Sequence, residues 1–402
     1  MKFIKLIIIG VLCLVLSLPV GAATVSSECD ISDIAVPISS TVETVAIGET
    51  LDIKAKSAIL LEPFTGEILY EMNADEVLPP ASITKIMSLL LIMEAIDRGD
   101  MALEDVVATS EHAASMGGSQ IWLEPGEGMT VDDLLKAAVI ASANDATVAL
   151  GEAIAGSEEA FVAQMNERAA ELGMSGTVFK NATGLDAEGH VSTAHDVALM
   201  SAELIKFPLI KKYSTVWMDS LRDGASELVN TNKLVRFYEG TTGLKTGTTS
   251  GAGYCLSATA QRDGMELVAV IMSGDTSADR FEGAKKLLDY GFSNFTYTRV
   301  TADLGDKTSI KVEKGAEQIV EIKPEGEFGA LLKKSQAKEL TQKLNIKDSI
   351  AAPVKKGQVI GTVDIYSGEE QIGAIDIIAA KGVKKMSFST AFMWLLAGLA
   401  AL

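Results

Sequence analysis

The feature that most constrains the fold is an apolar helix that begins at Ser82-Ile83-Thr84-Lys85, directly after Pro79-Pro80. The next residues, Ile86 to Met93, are apolar on almost every side, so the helix must be buried in a large core. Serine and lysine three residues apart lie on the same helix face, one turn apart. Lys85 is therefore carried into an interior that rarely accepts lysine.

Ser82 and Lys85 have the properties of a nucleophile and its base. Burial lowers the pKa of a lysine, and a neutral amine can accept the proton of a serine hydroxyl. Ser82 falls in the first helical turn, where free backbone N–H groups stabilise a developing oxyanion. The alternative is structural: Ser82 caps the helix, and Lys85 extends its amine to water.

Two further short motifs carry groups suited to the same reaction. Ser142-Ala143-Asn144 is expected in a turn between helices that faces a cleft, where Ser142 can relay a proton and Asn144 can hold the lysine or a substrate amide. Lys245-Thr246-Gly247 is expected at a strand edge, where the glycine lets a substrate approach the backbone. Each motif alone also fits an ordinary helix cap or an ordinary strand end.

The order of the predicted elements indicates an α+β fold whose sheet contains strands from both ends of the domain. Early strands are followed by helices and then by further strands. The predicted strands are Ala58–Leu61, Ile68–Tyr70, Thr241–Thr246, Gly253–Ala260 and Leu267–Met272. The predicted helices are Ser82–Ile96, Val131–Ala155, Glu158–Leu172, Ala194–Ile205 and Lys285–Tyr290.

Composition changes near residue 300. Residues 300–385 contain 14 lysines against 13 acidic residues, although the whole chain carries a net charge of −19. Short alternating apolar segments separated by Gly and Lys turns predict a small all-β domain there. The domain boundaries that we expect are 45–295 for the first domain and 296–381 for the second.

The two ends of the chain carry targeting signals. Residues 1–23 combine Lys2 and Lys5, an apolar run and a small-residue exit, as in a secretory signal peptide. Residues 24–44 are expected to be a linker. Residues 386–402 contain no charged side chain, so we expect 382–402 to be a C-terminal membrane-anchor helix, either spanning the bilayer or lying in its interface. A last helix packed on the protein's own core is the alternative.

Composition also excludes several classes of function. A net charge of −19 disfavours binding to a nucleic-acid backbone. The chain has three histidines, and His190, His195 and Asp196 are poorly spaced for a metal site, so we expect no metal and no cofactor.

Together, the three motifs in this order resemble those of penicillin-binding proteins and serine β-lactamases. Residues 57–295 resemble the D-alanyl-D-alanine carboxypeptidases, which are low-molecular-weight penicillin-binding proteins. The matching segments are 65–70, 80–87, 142–146, 179–185, 230–232, 243–248 and 285–288, with His190, and 352–358 is similar to the small β domain of that family. The resemblance implies a β-lactamase/transpeptidase-like domain with helices packed on an antiparallel sheet, then a small all-β domain and an anchor.

The resemblance also implies a role for each site residue. Ser82 would be acylated by the penultimate D-alanine of peptidoglycan stems, with Lys85 as the base and Ser142 as the proton shuttle. The backbone N–H groups of Ser82 and Thr248 would form the oxyanion hole. Substrate would be bound by Asn144, Lys245, Thr246, Gly247, Thr248, Arg280 and His190. Arg280 could instead pair with Glu282 on the surface, and His190 would be auxiliary.

The resemblance implies peptidoglycan stems as substrate, β-lactams as inhibitors and a position at the outer face of the cytoplasmic membrane. A serine β-lactamase is the enzymatic rival, but it needs a further glutamate base in a Glu-Leu-Asn run. The sequence contains no such run between Asn144 and Lys245. A non-catalytic, membrane-held wall-binding protein is the alternative from another class.

Overall fold

The computed structural model describes residues 51–388 and residue 392. The predicted signal peptide (1–23) and linker (24–44) lie outside the described residues, as does most of the predicted anchor (382–402).

The part that precedes residue 295 is built around a five-stranded sheet with the order β2-β1-β9-β8-β7, in which all neighbours are antiparallel. The first two and the last three strands of this domain therefore share one sheet, and the predicted α+β organisation is confirmed. The strands are β1 (Ala55–Glu62), β2 (Glu67–Met72), β3 (Val106–Ala108), β4 (Gly128–Thr130), β5 (Met218–Leu221), β6 (Ser226–Val229), β7 (Thr241–Thr249), β8 (Gly253–Arg262) and β9 (Met265–Gly274).

Four of the five predicted helical stretches begin at or near their predicted residues, and Val131–Ala155 is divided into two helices by the turn at residues 141–143. The helices are α1 (Lys85–Asp97), α2 (Glu111–Ala114), α3 (Val131–Ile140), α4 (Asn144–Ala155), α5 (Glu158–Glu171), α6 (Ala194–Leu204), α7 (Lys211–Ser214), α8 (Leu234–Phe237) and α9 (Ser277–Asn294). Helix α9 is far longer than the predicted Lys285–Tyr290, because the Thr276 hydroxyl caps it by accepting the Asp279 N–H. The short two-stranded sheets β3–β4 and β5–β6 were not predicted.

Helices cover both faces of the sheet. Ile59 and Leu61 of β1 pack into the core that contains α1, whereas Leu60 points to the opposite core, where α9 contributes Leu287 and Leu288. This alternation follows from the two-residue period of a strand. Helix α1 is buried in the first core from Lys85 to Met93, as its apolar sequence predicts, and Lys85 is fully buried at its start.

The β-rich part after residue 295 has its own core. Its main sheet has the order β14-β16-β17-β12-β11-β15. The core includes the buried side chains of Val320, Val363 and Ile377, which belong to strands of this sheet. A second, two-stranded sheet joins β10 to β13. The elements are β10 (Phe295–Val300), β11 (Ser309–Glu313), β12 (Ile319–Pro324), β13 (Phe328–Lys333), α10 (Lys334–Ala337), β14 (Leu340–Ile346), β15 (Ser349–Ala351), β16 (Val359–Ser367) and β17 (Glu370–Ala379).

The chain stays within this part beyond the predicted limit of 381. Val383 pairs with Val354 and Lys385 pairs with Gly315 in isolated antiparallel bridges. Residues 382–385 therefore belong to the β-rich part. Across residues 51–388, no helix combines the length and the apolar character that crossing a membrane requires.

Candidate active site

Ser82 lies in a tight turn in front of α1. Residues Ala81–Thr84 form one 3₁₀ turn, which continues directly into α1 at Lys85. Ala81 has a φ of +50°, a left-handed conformation that alanine rarely adopts and that the surrounding structure must hold in place. The turn therefore presents Ser82 on a backbone that is fixed from outside the helix.

Two glycines explain how the turn is held. A Cβ atom added at Gly247 of β7 would lie 2.9 Å from the backbone nitrogens of Ser82 and Ile83. A Cβ atom added at Gly184, where φ is +84°, would lie 1.9 Å from the carbonyl oxygen of Ala81. Strand β7 and the segment around Gly184 therefore enclose the turn so closely that a side chain at either position would displace it.

Lys85 has the geometry and the environment of a neutral base. Its Nζ lies 3.0 Å from Ser82 Oγ and donates to the carbonyl oxygen of Thr183 at 2.8 Å. Burial holds the pKa of the fully buried amine well below its usual range, and the positive charge of Lys245 lowers it further. The Asp145 carboxylate acts in the opposite direction. The lowered pKa increases the neutral fraction of the amine, and a neutral amine can accept the Ser82 proton.

Ser142 occupies the turn between α3 and α4, as expected, with a φ of +63°. Asn144 makes different contacts from those expected, because its Nδ2 donates to the carbonyl oxygen of Gly117 at 2.6 Å rather than to Lys85. Its Oδ1 is buried and has no hydrogen-bond partner within the part of the chain that is described. That oxygen remains available to a donor that enters the cleft.

Asp145 was not singled out in the sequence, yet it organises the loop beside Asn144. Its fully buried carboxylate accepts the backbone N–H groups of Ile121, Leu123 and Ala146. Because a buried carboxylate is costly without such donors, the loop and the start of α4 fix each other. The sequence shows an acidic residue directly after the second motif, but it does not indicate which backbone N–H groups that residue binds.

The third motif brings a second buried amine to the site. Lys245 is almost completely buried in β7, and burial together with the charge of Arg280 lowers the pKa of its amine to about 7. The neighbouring Thr246 hydroxyl donates to the hydroxyl of Thr231 at 2.7 Å. Strand β7 is the edge strand of the five-stranded sheet, so no further strand pairs with its outer edge.

Arg280 reaches the third motif from α9. Its Nη1 donates to the carbonyl oxygen of Gly247 and to the hydroxyl of Thr248, both at 2.9 Å. Glu282, the alternative partner considered from the sequence, forms its ion pair with Lys285 at 3.0 Å instead. The guanidinium is thus brought next to Gly247 and Thr248, where a carboxylate could be bound.

His190 contacts the turn formed by residues 81–84, which carries Ser82 and is called the nucleophile turn below. Its Nδ1 accepts the backbone N–H of Lys180 at 3.1 Å, so the neutral ring carries its proton on Nε2 and donates to Thr84 Oγ1 at 2.8 Å. Burial lowers the pKa of His190 to about 4, and the ring stays neutral at ordinary pH. Both ring nitrogens are therefore engaged by the protein itself.

The segment from Asn181 to Gly184 supplies contacts that the motifs alone did not indicate. The Asn181 Oδ1 accepts the backbone N–H groups of Thr183 and Gly184, which fixes the Thr183 carbonyl that receives Lys85. An open cleft next to the Ser82 turn is lined by residues 79–81, 184–188, 190 and 250–251. The sequence pointed to this segment only through family resemblance.

Comparison with protein families gives two matches. Residues 43–276 match the model described as "D-alanyl-D-alanine carboxypeptidase", and residues 295–385 match the model described as "Penicillin-binding protein 5, C-terminal domain".

Characterised relatives and solved structures give the same pattern. The chain is 45% identical to the D-alanyl-D-alanine carboxypeptidase DacF of Bacillus subtilis, with 84% of this chain and 88% of the relative covered. It is 34% identical to DacC of Escherichia coli, with 85% and 87% covered. The crystal structure of penicillin binding protein 5 from Haemophilus influenzae covers 84% of this chain and is covered to 99%, with a TM-score of 0.69 and 29% identity. Penicillin-binding protein D2 from Listeria monocytogenes, in its ampicillin-bound form, covers 61% of this chain, is itself covered completely, has a TM-score of 0.56 and is 34% identical.

Proposed function

The chain belongs to the D-alanyl-D-alanine carboxypeptidase family, peptidase family S11, and on this premise we propose how its residues divide the reaction. It is a penicillin-binding D-alanyl-D-alanine carboxypeptidase. The substrate that we propose is the peptidoglycan pentapeptide stem, from which the terminal D-alanine is removed during cell-wall maturation.

Substrate binding is proposed to begin with the terminal carboxylate. The hydroxyls of Thr246 and Thr248 lie on the edge strand β7, and Arg280 Nη1 already contacts Thr248. Lys245 adds a second positive charge while its amine is protonated. Two cations and two hydroxyls at one strand edge suit an anion with several acceptor oxygens, and a peptide laid along β7 could pair with its free edge.

Acylation is proposed to proceed through Ser82. Its Oγ attacks the carbonyl carbon of the penultimate D-alanine while its proton moves to the neutral Nζ of Lys85, 3.0 Å away. The carbonyl electrons move to oxygen, and the backbone N–H groups of Ser82 and Thr248 stabilise the resulting oxyanion. The Gly247 backbone packs directly against the Ser82 nitrogen, which supports this pairing of turn and strand.

Collapse of the intermediate breaks the peptide bond. The leaving D-alanine amine takes a proton, which we assign to Ser142 as the shuttle from Lys85, and the acyl group remains on Ser82 as an ester. Asn144 is proposed to orient the substrate through its buried, unpartnered Oδ1, which can accept a substrate N–H. Water then hydrolyses the ester and restores the Ser82 hydroxyl. A β-lactam follows the first half of this route, and its opened ring stays attached as the inhibitory ester.

The observation that carries this assignment is the contact between Ser82 Oγ and the fully buried amine of Lys85. The test is D-alanine release from a pentapeptide by the wild type, Ser82→Ala and a matched Ser220→Ala on the exposed strand β5. We expect loss of release only in Ser82→Ala. Rapid turnover of a chromogenic β-lactam by the wild type without D-alanine release would instead favour a β-lactamase.

We further propose that the enzyme is exported and held at the outer face of the cytoplasmic membrane. The basic, apolar and small-residue order of residues 1–23 and the uncharged sequence 386–402 support this. Membrane fractions should retain the enzyme through washes at high salt if the uncharged segment 386–402 is inserted. Complete release at high salt would contradict an apolar anchor.

A further inference from the structure

Three segments of the β-rich part converge at one end of its main sheet. Strands β11 and β15 run parallel, so their carboxyl ends lead to Lys314 and to Lys355-Lys356 at the same end. The chain after β17 passes the same place, because the Ala316 N–H donates to the Lys384 carbonyl and the Met386 N–H donates to the Lys314 carbonyl. Topology therefore gathers lysines that are up to about 70 residues apart in the sequence.

These lysines form a basic face, which we define as Lys314, Lys355, Lys356, Lys384 and Lys385. All five are exposed, and no carboxylate of the described residues forms an ion pair with them. Nearby acidic groups are otherwise occupied. Glu317 pairs with Lys381 at 2.6 Å, and Glu313 accepts the Ser349 hydroxyl. The basic face thus has a surplus of positive charge in a chain that is acidic overall.

Exposed aromatic rings follow directly after the basic face. The Phe388 side chain is 88% exposed and that of Phe392 is 50% exposed, and their rings stack at 6.4 Å with an interplanar angle of 12°. The sequence from Met386 to Leu402 contains no charged side chain. Positive charge beside exposed aromatic surface is the combination that the headgroup region of an anionic membrane accommodates.

We propose that the basic face docks on anionic phospholipid headgroups and fixes the orientation of the β-rich part on the membrane. This rests on the membrane attachment proposed above and adds a second, electrostatic contact to it. Each lysine near an anionic leaflet adds to the electrostatic attraction, which falls off within a Debye length. An apolar tail alone would leave the folded part free to tilt, whereas five lysines around its exit point define one face toward the membrane.

A polyanionic wall polymer is the competing partner. The charge of the basic face would suit it equally, but the exposed Phe388 and Phe392 rings next to that face would gain nothing from a fully hydrated polymer. A lipid surface offers both headgroup charge and an apolar layer. The observations therefore favour the membrane.

The experiment uses vesicle binding by the full chain. Binding to vesicles of neutral phosphatidylcholine measures the contribution of the apolar tail. The increase in binding when phosphatidylglycerol is added measures the contribution of the basic face. The test variant replaces all five lysines of the basic face with glutamine. The matched control makes the same change in net charge at five exposed lysines elsewhere in the β-rich part, namely Lys323, Lys334, Lys338, Lys343 and Lys347.

We expect wild type and control to bind phosphatidylglycerol vesicles at least about tenfold more tightly than neutral ones at low salt, and the gain to vanish near 0.5 M KCl. The test variant should lose that gain while it keeps neutral-vesicle binding and D-alanine release. The proposal would be overturned if the test variant bound phosphatidylglycerol vesicles as tightly as the wild type, or if the control lost as much of this binding as the test variant. Binding of the wild type to isolated teichoic polymer but not to anionic vesicles would also overturn it. If the wild type did not bind neutral vesicles, that result would contradict the apolar anchor instead.

Discussion

Replacing Gly247 by alanine tests whether close contact between β7 and the nucleophile turn controls the reaction. The added Cβ would lie 2.9 Å from two backbone nitrogens of the turn and 3.0 Å from Ala81 Cβ, where ordinary contacts begin at 3.4 Å. Strand and turn must therefore separate by about 0.5 Å, since both partners are rigid backbone. Such a shift widens the proposed oxyanion hole between Ser82 and Thr248.

A displacement of this size is expected to lower kcat for D-alanine release by roughly tenfold to 10²-fold, because catalysis depends on sub-ångström placement. The overpacking should cost about 1–3 kcal/mol of unfolding free energy, which leaves the protein folded. The assays are D-alanine release, the rate of acylation by benzylpenicillin and thermal unfolding. All three should be compared in wild type, Gly247→Ala and a control variant.

The matched control is Gly117→Ala, in the loop that contacts Asn144, where an added Cβ meets nothing within 4 Å. We expect this control to keep both rates within about twofold, since surface substitutions without a steric conflict change little. Wild-type acylation and unchanged thermal stability in Gly247→Ala would refute the claim that turn and strand are in forced contact. Unfolding of Gly247→Ala would show that the contact matters for folding rather than for placement.

Two further predictions concern buried bases. Because the pKa of Lys245 is about 7, the amine loses its charge as pH rises, and KM for the peptide should increase several-fold between pH 7 and 9. A KM that stays constant over that range would contradict the role of Lys245 in carboxylate binding. The pKa of His190 is about 4 in the folded chain and about 6.5 in the unfolded chain, so the unfolded chain binds the proton first as pH falls. The free energy of unfolding should therefore fall by up to about 3 kcal/mol between pH 6.5 and pH 4. His190→Gln should flatten this dependence in pH-dependent denaturant titrations, and an unchanged slope would show that another group titrates.

The sequence predicted the parts of the site that depend on short-range pattern. Ser82 and Lys85 lie one helical turn apart in any helix, so their contact follows from spacing and from the apolar helix that buries them. The turn at Ser142 and the strand at Lys245 were likewise predicted from local composition, and in the structure Lys245 lies close enough to Lys85 for its charge to lower the pKa of that amine. Local rules are sufficient where partners are close in the chain.

Contacts between distant segments could not be predicted in the same way. The acceptor of the Lys85 amine is the Thr183 carbonyl, 98 residues away, and a backbone carbonyl leaves no mark on residue type. The sequence left open whether Arg280 faces the substrate carboxylate or pairs with Glu282 on the surface, because the choice depends on which side of α9 faces the sheet; in the structure its guanidinium contacts Thr248, and Glu282 pairs with Lys285. Asn144 was assigned to Lys85 or the substrate; its Nδ2 donates to the Gly117 carbonyl rather than to Lys85, and only its Oδ1 remains for the substrate.

The β-rich part illustrates the same limit. Alternating apolar residues predicted its strands, such as Val359–Ile365 within β16, since a two-residue period is visible locally. Pairing of β10 with β13 and the parallel pairing of β11 with β15 join segments that are separated by intervening strands. The basic face depends on that parallel pairing, so it is visible only in the structure.

The central claim is that a largely neutral Lys85 activates Ser82 for acylation. Its most direct test is intact-protein mass spectrometry after exposure to benzylpenicillin, followed by peptide mapping, across a range of pH. We predict one added antibiotic molecule on Ser82, an acylation rate that falls as pH is lowered because Lys85 becomes protonated, and no adduct in Lys85→Arg, whose side chain stays charged. An adduct on another residue, or rapid acylation of Ser82 in Lys85→Arg, would contradict the account.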